Sequence, residues 1–204
     1  MAVLYSMSTK IYNAQQQALV EGNSLILYEG FRPHHVQVTV AKELSSLAEQ
    51  DAKVMNGINT PPWGIGWFIV NGSSNHQVGY AIDVGLAKVE EKTSRSIGGF
   101  SITDITAYSE YIMPTSIHEL SGKSSIFKVP VSSKNDLDWR TTQYNSDMTI
   151  GALLLHRYAT ESGLTPLASE WWHFNDLDAR DEMEGIEAAG KFTLSEIESK
   201  IPQP

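Results

Sequence analysis

The sequence predicts a mixed domain of helices and short apolar strands, and three observations carry that reading. Apolar residues recur at helical spacing in residues 9–21, 36–55 and 147–162. Short apolar runs bounded by turn residues lie between them, at 25–28, 76–84 and 167–174. The chain has 204 residues, 41% hydrophobic and 19% charged, enough to bury one sizeable core. One domain over residues 1–204 is therefore expected, either whole or excised from a longer chain.

In chain order, residues 9–21 put Ile11, Ala14, Ala18 and Leu19 at helical spacing, and Gly22-Asn23 ends that helix. Leu25-Ile26-Leu27-Tyr28 reads as a buried strand, so Arg32 falls just past a strand end, where a rigid scaffold often presents a working side chain. Pro33 disfavours helix at Arg32 but can open one itself. Val36 to Met55 follows as a helix with Val36, Val40, Leu44, Leu47 and Ala48 on one face. Residues 56–75 contain Asn-Gly, Pro-Pro and further glycines and read as a loop. Its Trp63, Trp67 and Phe68 either cap the core or form an apolar wall for substrate.

His76 to Val84 reads as a central strand, and residues 87–106 as a hairpin or insertion with Gly98-Gly99 as its turn. Within it, Phe100 to Thr103 is a strand. Residues 122–145 look irregular. Asn145 or Ser146 is expected to cap the helix at 147–162, with Met148, Ala152, Leu155 and Ala159 on one stripe, widened by Leu153, Leu154 and Tyr158. Gly163 stops it. Leu167 to Phe174 is a strand, and Asp176 to Glu187 an acidic, solvated stretch. Thr193-Leu194-Ser195-Glu196 is a capping-box pattern for a short helix, Ser195 to Ile201.

A net charge of −9 offers no basic field for nucleic acid. No apolar run approaches the roughly 18 residues that a membrane span needs. Met1 to Lys10 shows no charged region followed by an apolar one, so no signal peptide is expected there. The cell envelope or exterior is the compartment expected for a domain excised from a longer chain, and the cytoplasm otherwise. The absence of cysteine removes disulfides, thiolate ligands and a cysteine nucleophile together.

The chemistry concentrates in two stretches, Ser74-Asn75-His76-Gln77-Val78-Gly79-Tyr80-Ala81-Ile82-Asp83 and Glu170-Trp171-Trp172-His173. Together they offer two imidazoles and a carboxylate, with one carboxylate left over. That set suits a catalytic zinc site, in which three protein ligands leave one position open. A difficulty of parity follows. His76 and Asp83 are an odd number of residues apart, which on a regular strand puts them on opposite faces. Both reach one metal only if the chain turns or bulges between them, and Gly79 is the natural place. Glu170 and His173 pose the same problem.

The pattern Ser-x-His-x-x-Gly-x-Ala-x-Asp followed by Glu-x-x-His resembles the LAS group of zinc peptidases, which cleave D-amino-acid peptides of the bacterial cell wall. The doubled tryptophan in Glu170-Trp171-Trp172-His173-Phe174 is more similar to the D-alanyl-D-alanine dipeptidase (VanX-like) branch than to the carboxypeptidase branch. Glu29-Gly30-Phe31-Arg32-Pro33 resembles that branch's Gly-Tyr-Arg-Pro, with Phe31 for the tyrosine. The likeness spans roughly residues 10–177. It implies an α+β fold: a small antiparallel sheet carrying a catalytic zinc, flanked by helices. It implies His76, Asp83 and His173 as metal ligands, Glu170 as general base and then acid, and Arg32 opposite the developing oxyanion. Ser74 and Trp172 are implied at the substrate, and so is the segment Met113-Pro114-Thr115-Ser116-Ile117-His118-Glu119. The branch's similar segment, Met-Gly-Thr-x-Phe-Asp, ends in an aspartate that grips the substrate's ammonium. Here His118 stands in that place with Glu119 beside it, and a neutral imidazole does not replace a carboxylate in that task.

The resemblance thus implies a zinc hydrolase acting on D-Ala-D-Ala or on the D-Ala terminus of a peptidoglycan stem peptide. Three other readings stand beside it: a D,D- or L,D-carboxypeptidase on longer stem peptides, a catalytically silent zinc-holding module that binds wall peptides, and a plain structural domain. His156, on the apolar helix, reads as a core histidine, and His34 and His35 as exposed near the mouth of the site.

Overall fold

The computed structural model describes residues 1–183. Helix α1 (Tyr5–Val20) leads through Gly22 into strand β1 (Asn23–Glu29). Helices α2 (His34–Gln50) and α3 (Ala52–Ile58) follow, and then the aromatic loop and a single helical turn, α4 (Asn75–Val78). Strands β2 (Ala81–Ile97) and β3 (Phe100–Glu110) form a long hairpin whose turn is Gly98-Gly99, both at positive φ. An irregular stretch leads to helix α5 (Ile150–Glu161), strands β4 (Thr165–Leu167) and β5 (Glu170–Asn175), and helix α6 (Leu177–Glu182).

All strand pairs are antiparallel, and the order is β1-β2-β5-β4, with β3 also on β2. The expected α+β architecture is what forms. Strand β2 is the organiser. Its first residues pair with β1 on one side and β5 on the other, which sets Asp83 opposite both Glu29 and His173. Its C-terminal half continues with β3 as an exposed ribbon. The core lies where α1 and α5 cover the sheet: Met7, Ile82, Leu86, Leu155, Tyr158 and Phe174 are all buried. No helix among the described residues is long and apolar enough to cross a membrane.

Several expectations change. Residues 76–84 are not one strand. His76 sits in the helical turn α4, Ser74 caps it, and Gly79 closes it at φ 89° before the strand begins at Ala81. A left-handed residue at that point suits glycine best. This is the turn that the parity argument required. The strand expected at 167–174 is two, β4 and β5, separated by Ala168-Ser169.

The helix expected from Val36 to Met55 starts at His34 and breaks at Asp51, whose carboxylate accepts the amide of Lys53 at 2.8 Å and starts α3. Its buried residues are Gln37, Ala41 and Ala48, while Val36, Val40 and Leu47 stay 37%, 44% and 51% exposed. Small alanines allow close packing, and Gln37 is drawn inward by its hydrogen bonds to Arg32 and the Val70 carbonyl. Tertiary bonding outweighs the apolar periodicity here.

Thr149, not Asn145 or Ser146, caps α5, its hydroxyl accepting from Ala152. Asn145 is instead engaged with the Gly122 carbonyl and the Ser125 hydroxyl. Asp176 is buried rather than solvated. It caps α6 and pairs with Lys10 at 2.5 Å. The helix expected at Ser195–Ile201 lies outside the described residues.

Candidate active site

The strand register accounts for the site. Asp83 and His173 are direct partners across β2 and β5, and α4 brings His76 over the same point. The two imidazoles and Asp83 are all buried, and each offers one ligand atom within 4.8 Å of the others. Nε2 of His76 lies 3.2 Å from Oδ1 of Asp83 and 3.1 Å from Nδ1 of His173, which is itself 3.1 Å from the same Oδ1. Tetrahedral zinc with bonds of about 2.0–2.1 Å sets neighbouring donor atoms about 3.3–3.4 Å apart. The triangle fits that geometry.

The other ring nitrogens fix the tautomers. Nδ1 of His76 lies 2.7 Å from the Gly30 carbonyl oxygen, so it must be the N–H donor. Nε2 of His173 donates to Oδ1 of Asn175 at 3.1 Å. Asn175 is held by Asn75 (2.8 Å), whose own oxygen accepts from the Tyr80 hydroxyl (2.7 Å). Two lone pairs and a carboxylate oxygen therefore converge with no proton between them. Such outer partners orient metal-binding histidines and raise their basicity. Burial opposes ionisation of Asp83, yet the neighbouring imidazoles of His118, His173 and His76 hold its carboxyl well below the usual range. The residues present suit a divalent metal.

Glu170 starts β5 with its side chain buried, its Oε2 3.7 Å from Nδ1 of His173. Burial pushes its carboxyl up to about 8, with His173 acting in the opposite direction and Asp83 in the same one. The pairing of β4 with β5 shifts register there, Pro166 facing Phe174 and Leu167 facing Glu170, and this irregularity accompanies its inward position. Arg32 donates two hydrogen bonds to Glu29, one of them Nε to Oε1 at 2.9 Å, and a third to Gln37 at 2.7 Å. Its Nη2 stands 3.7 Å from Oδ2 of Asp83. It is thus both the paired arginine and the one aimed at the site.

These groups line one cavity of about 870 Å³, with Trp67, Phe68 and Val70 on its apolar side. Ser74, His118 and Trp172 line it too. Glu119 does not: it is exposed and accepts from the Ser121 hydroxyl at 3.0 Å. Trp171 is core and donates its indole N–H to Thr115, while the equally buried Trp172 reaches the cavity. Trp63 and Phe68 are buried in the core, and Trp67 packs edge-on against Trp63. His34 bonds Gln77 at 3.0 Å. Sequence reasoning assigned no role to Glu29, Gln37, Asn75, Tyr80 or Asn175. Glu29, Asn75 and Tyr80 stand inside the motifs, and Gln37 is visible only as a polar residue on a helix whose apolar periodicity points to another face.

A three-donor cradle, beside a buried carboxylate and a guanidinium on an antiparallel sheet, defines a site able to hold a divalent cation and to move a proton next to it. The D-ala-D-ala dipeptidase family model, Peptidase M15, matches residues 2–189. The chain belongs to that family, a family of metallopeptidases, and is a peptidase of the D-Ala-D-Ala type with a peptide as its substrate. No curated protein matches the chain.

Proposed function

We propose that this chain is a zinc peptidase that hydrolyses D-Ala-D-Ala or the D-Ala terminus of a peptidoglycan stem peptide. The observation that carries the reading is the convergence of His76, Asp83 and His173 in one cavity with Glu170 and Arg32. Bound zinc supplies Lewis acidity to the scissile carbonyl and makes the attacking water more acidic. Glu170 takes the water's proton as the carbon–oxygen bond forms, and hands it to the departing amine as the carbon–nitrogen bond breaks. Its raised affinity for protons suits a group that must hold one between two steps. Arg32, kept rigid by Glu29 and Gln37, faces the oxyanion with its guanidinium. Ser74 and Trp172 line the substrate's path.

One observation favours the longer substrate. Among the described residues, the carboxylates lining the cavity are Glu29, Asp83 and Glu170. Glu29 is paired with Arg32, Asp83 is the ligand and Glu170 the base, so none of these remains for a free ammonium. The volume, about 870 Å³, lies near the upper end of the roughly 300–1,000 Å³ usual for small-molecule sites. A stem peptide whose amine is acylated suits such a cavity better than a free dipeptide. The test is D-alanine release by zinc-loaded protein from D-Ala-D-Ala and from an N-acylated D-Ala-D-Ala peptide, with Glu170→Ala as control. Faster turnover of the acylated peptide is expected. No release from either, with zinc bound, would sink the D-Ala assignment.

A further inference from the structure

Asp83 has two carboxylate oxygens, and the fold treats them differently. Oδ1 faces the two imidazole nitrogens at 3.1 and 3.2 Å. Oδ2 points the other way, 3.1 Å from Nε2 of His118 and 3.7 Å from Nη2 of Arg32. His118 is also the one non-glycine residue at positive φ among the described residues, at 61°. That conformation is uncommon for a residue with a side chain and persists only where its surroundings hold it. The ring meets Trp172 edge-on, with centroids 5.8 Å apart. Its side chain is 48% exposed, so burial does not explain the conformation.

We infer that His118 is a positioning residue for the metal site: its Nε2–H holds Oδ2 of Asp83, so that the aspartate offers Oδ1 alone. This rests on Asp83 being a metal ligand, as the proposed function has it. The consequence is chemical. A carboxylate free to rotate can bind a cation through both oxygens and occupy the position a water needs. With Oδ2 engaged by His118 and Arg32, Asp83 counts as one ligand, and three protein ligands leave the fourth position open. Glu29, Asp83 and His118 themselves also lie close enough to suggest a second cation. The Arg32 guanidinium, bonded to Glu29 and beside Asp83, already supplies the positive charge there.

The experiment compares zinc affinity, by competition with a chromophoric chelator, for the unaltered protein, His118→Asn, His118→Gln and Asp83→Ala. Asparagine tolerates the left-handed conformation but is too short to reach Oδ2. Glutamine can place an amide N–H near the position of Nε2. Loss of an outer-shell partner typically costs about 10–100-fold in metal affinity. His118→Asn is expected to lose that much, and His118→Gln to stay within a few-fold of the unaltered protein. Unchanged affinity in both variants would overturn the inference. An equal, large loss in both would also overturn it, since it would make His118 a ligand in its own right. If the unaltered protein takes up no more zinc than Asp83→Ala, the proposed function falls and this inference with it.

Discussion

Two sets of buried histidines in this molecule have opposite surroundings. His76 and His173 sit at the junction of β2, β5 and α4, and each has one nitrogen given to a fixed acceptor and the other turned to Asp83. His156 lies on α5 in a box of rings, Phe127, Trp139, Tyr144 and Phe174. Its Nδ1 has one long contact, 3.3 Å to the Tyr144 hydroxyl, and its Nε2 has no hydrogen-bond partner among the described residues. Burial pushes that imidazole down to about 4. All three are inside the protein. Only the pair that faces an anion, with its tautomers set from behind, is equipped for chemistry. Burial alone leaves a histidine inert, and complementary polar partners equip it to act as a ligand.

The widest separation between the two regions is expected in activity. Glu170→Ala should lower D-alanine release by about 10²–10⁴-fold, the usual worth of general acid–base help, with zinc content unchanged by metal analysis. His156→Leu should leave turnover per folded molecule within a few-fold. A large loss from His156→Leu at full zinc content would break the comparison. Arg32→Ala comes next, with a fall of about 10²–10³ in kcat, typical of a lost oxyanion donor. A change confined to KM would instead make Arg32 a binding residue.

Stability sharpens the contrast from the other side. The unfolded chain takes up a proton on His156 near pH 6.5, the folded one only near 4. The contribution of neutral His156 is therefore intact above about pH 6.5 and is lost as the pH falls toward about 4. From neutrality to pH 5 this amounts to about 2 kcal/mol. Urea unfolding of the metal-free protein at both pH values should show that share of the acid loss vanish in His156→Leu. An undiminished loss would put the acid sensitivity elsewhere. The smallest effect belongs to the cap of the same helix: Thr149→Ala should cost about 1 kcal/mol, equally at both pH values. A pH-dependent cost there would mean that α5 couples the two.

Much of the site was legible in the chain because its chemistry is local in sequence. The His-x-x-Gly-x-Ala-x-Asp stretch contains both His76 and Asp83 and the glycine that reconciles their faces, and bringing the two to one metal required a turn or bulge, for which Gly79 was the natural place. Glu170 and His173 share β5, three residues apart, and the register shift where β4 pairs with β5 accompanies the inward position of Glu170. The inward face of α2 differs in part from the periodicity: Ala48 and Leu44 face the core, but the periodic valines are exposed, two of them lining the cavity, while Gln37 is pulled inward by Arg32 and by the distant Val70 carbonyl. Glu119 was expected at the substrate by adjacency to His118, and a backbone turned left-handed at His118 leaves it outside.

By itself the sequence determined which residue types are present, that helices alternate with short strands, and that two imidazoles and two carboxylates stand in two short motifs whose residue types suit a metal. Those properties depend on side-chain chemistry and on periods of two and 3.6 residues, which any window of the chain exposes. Tertiary structure alone decided that Asp83 meets His173 across two strands, that Asn175, Asn75 and Tyr80 form a chain behind it, and that His118 takes the second oxygen of Asp83. Most of these are contacts between residues distant in the chain. Their geometry follows from register and packing, which no local pattern encodes.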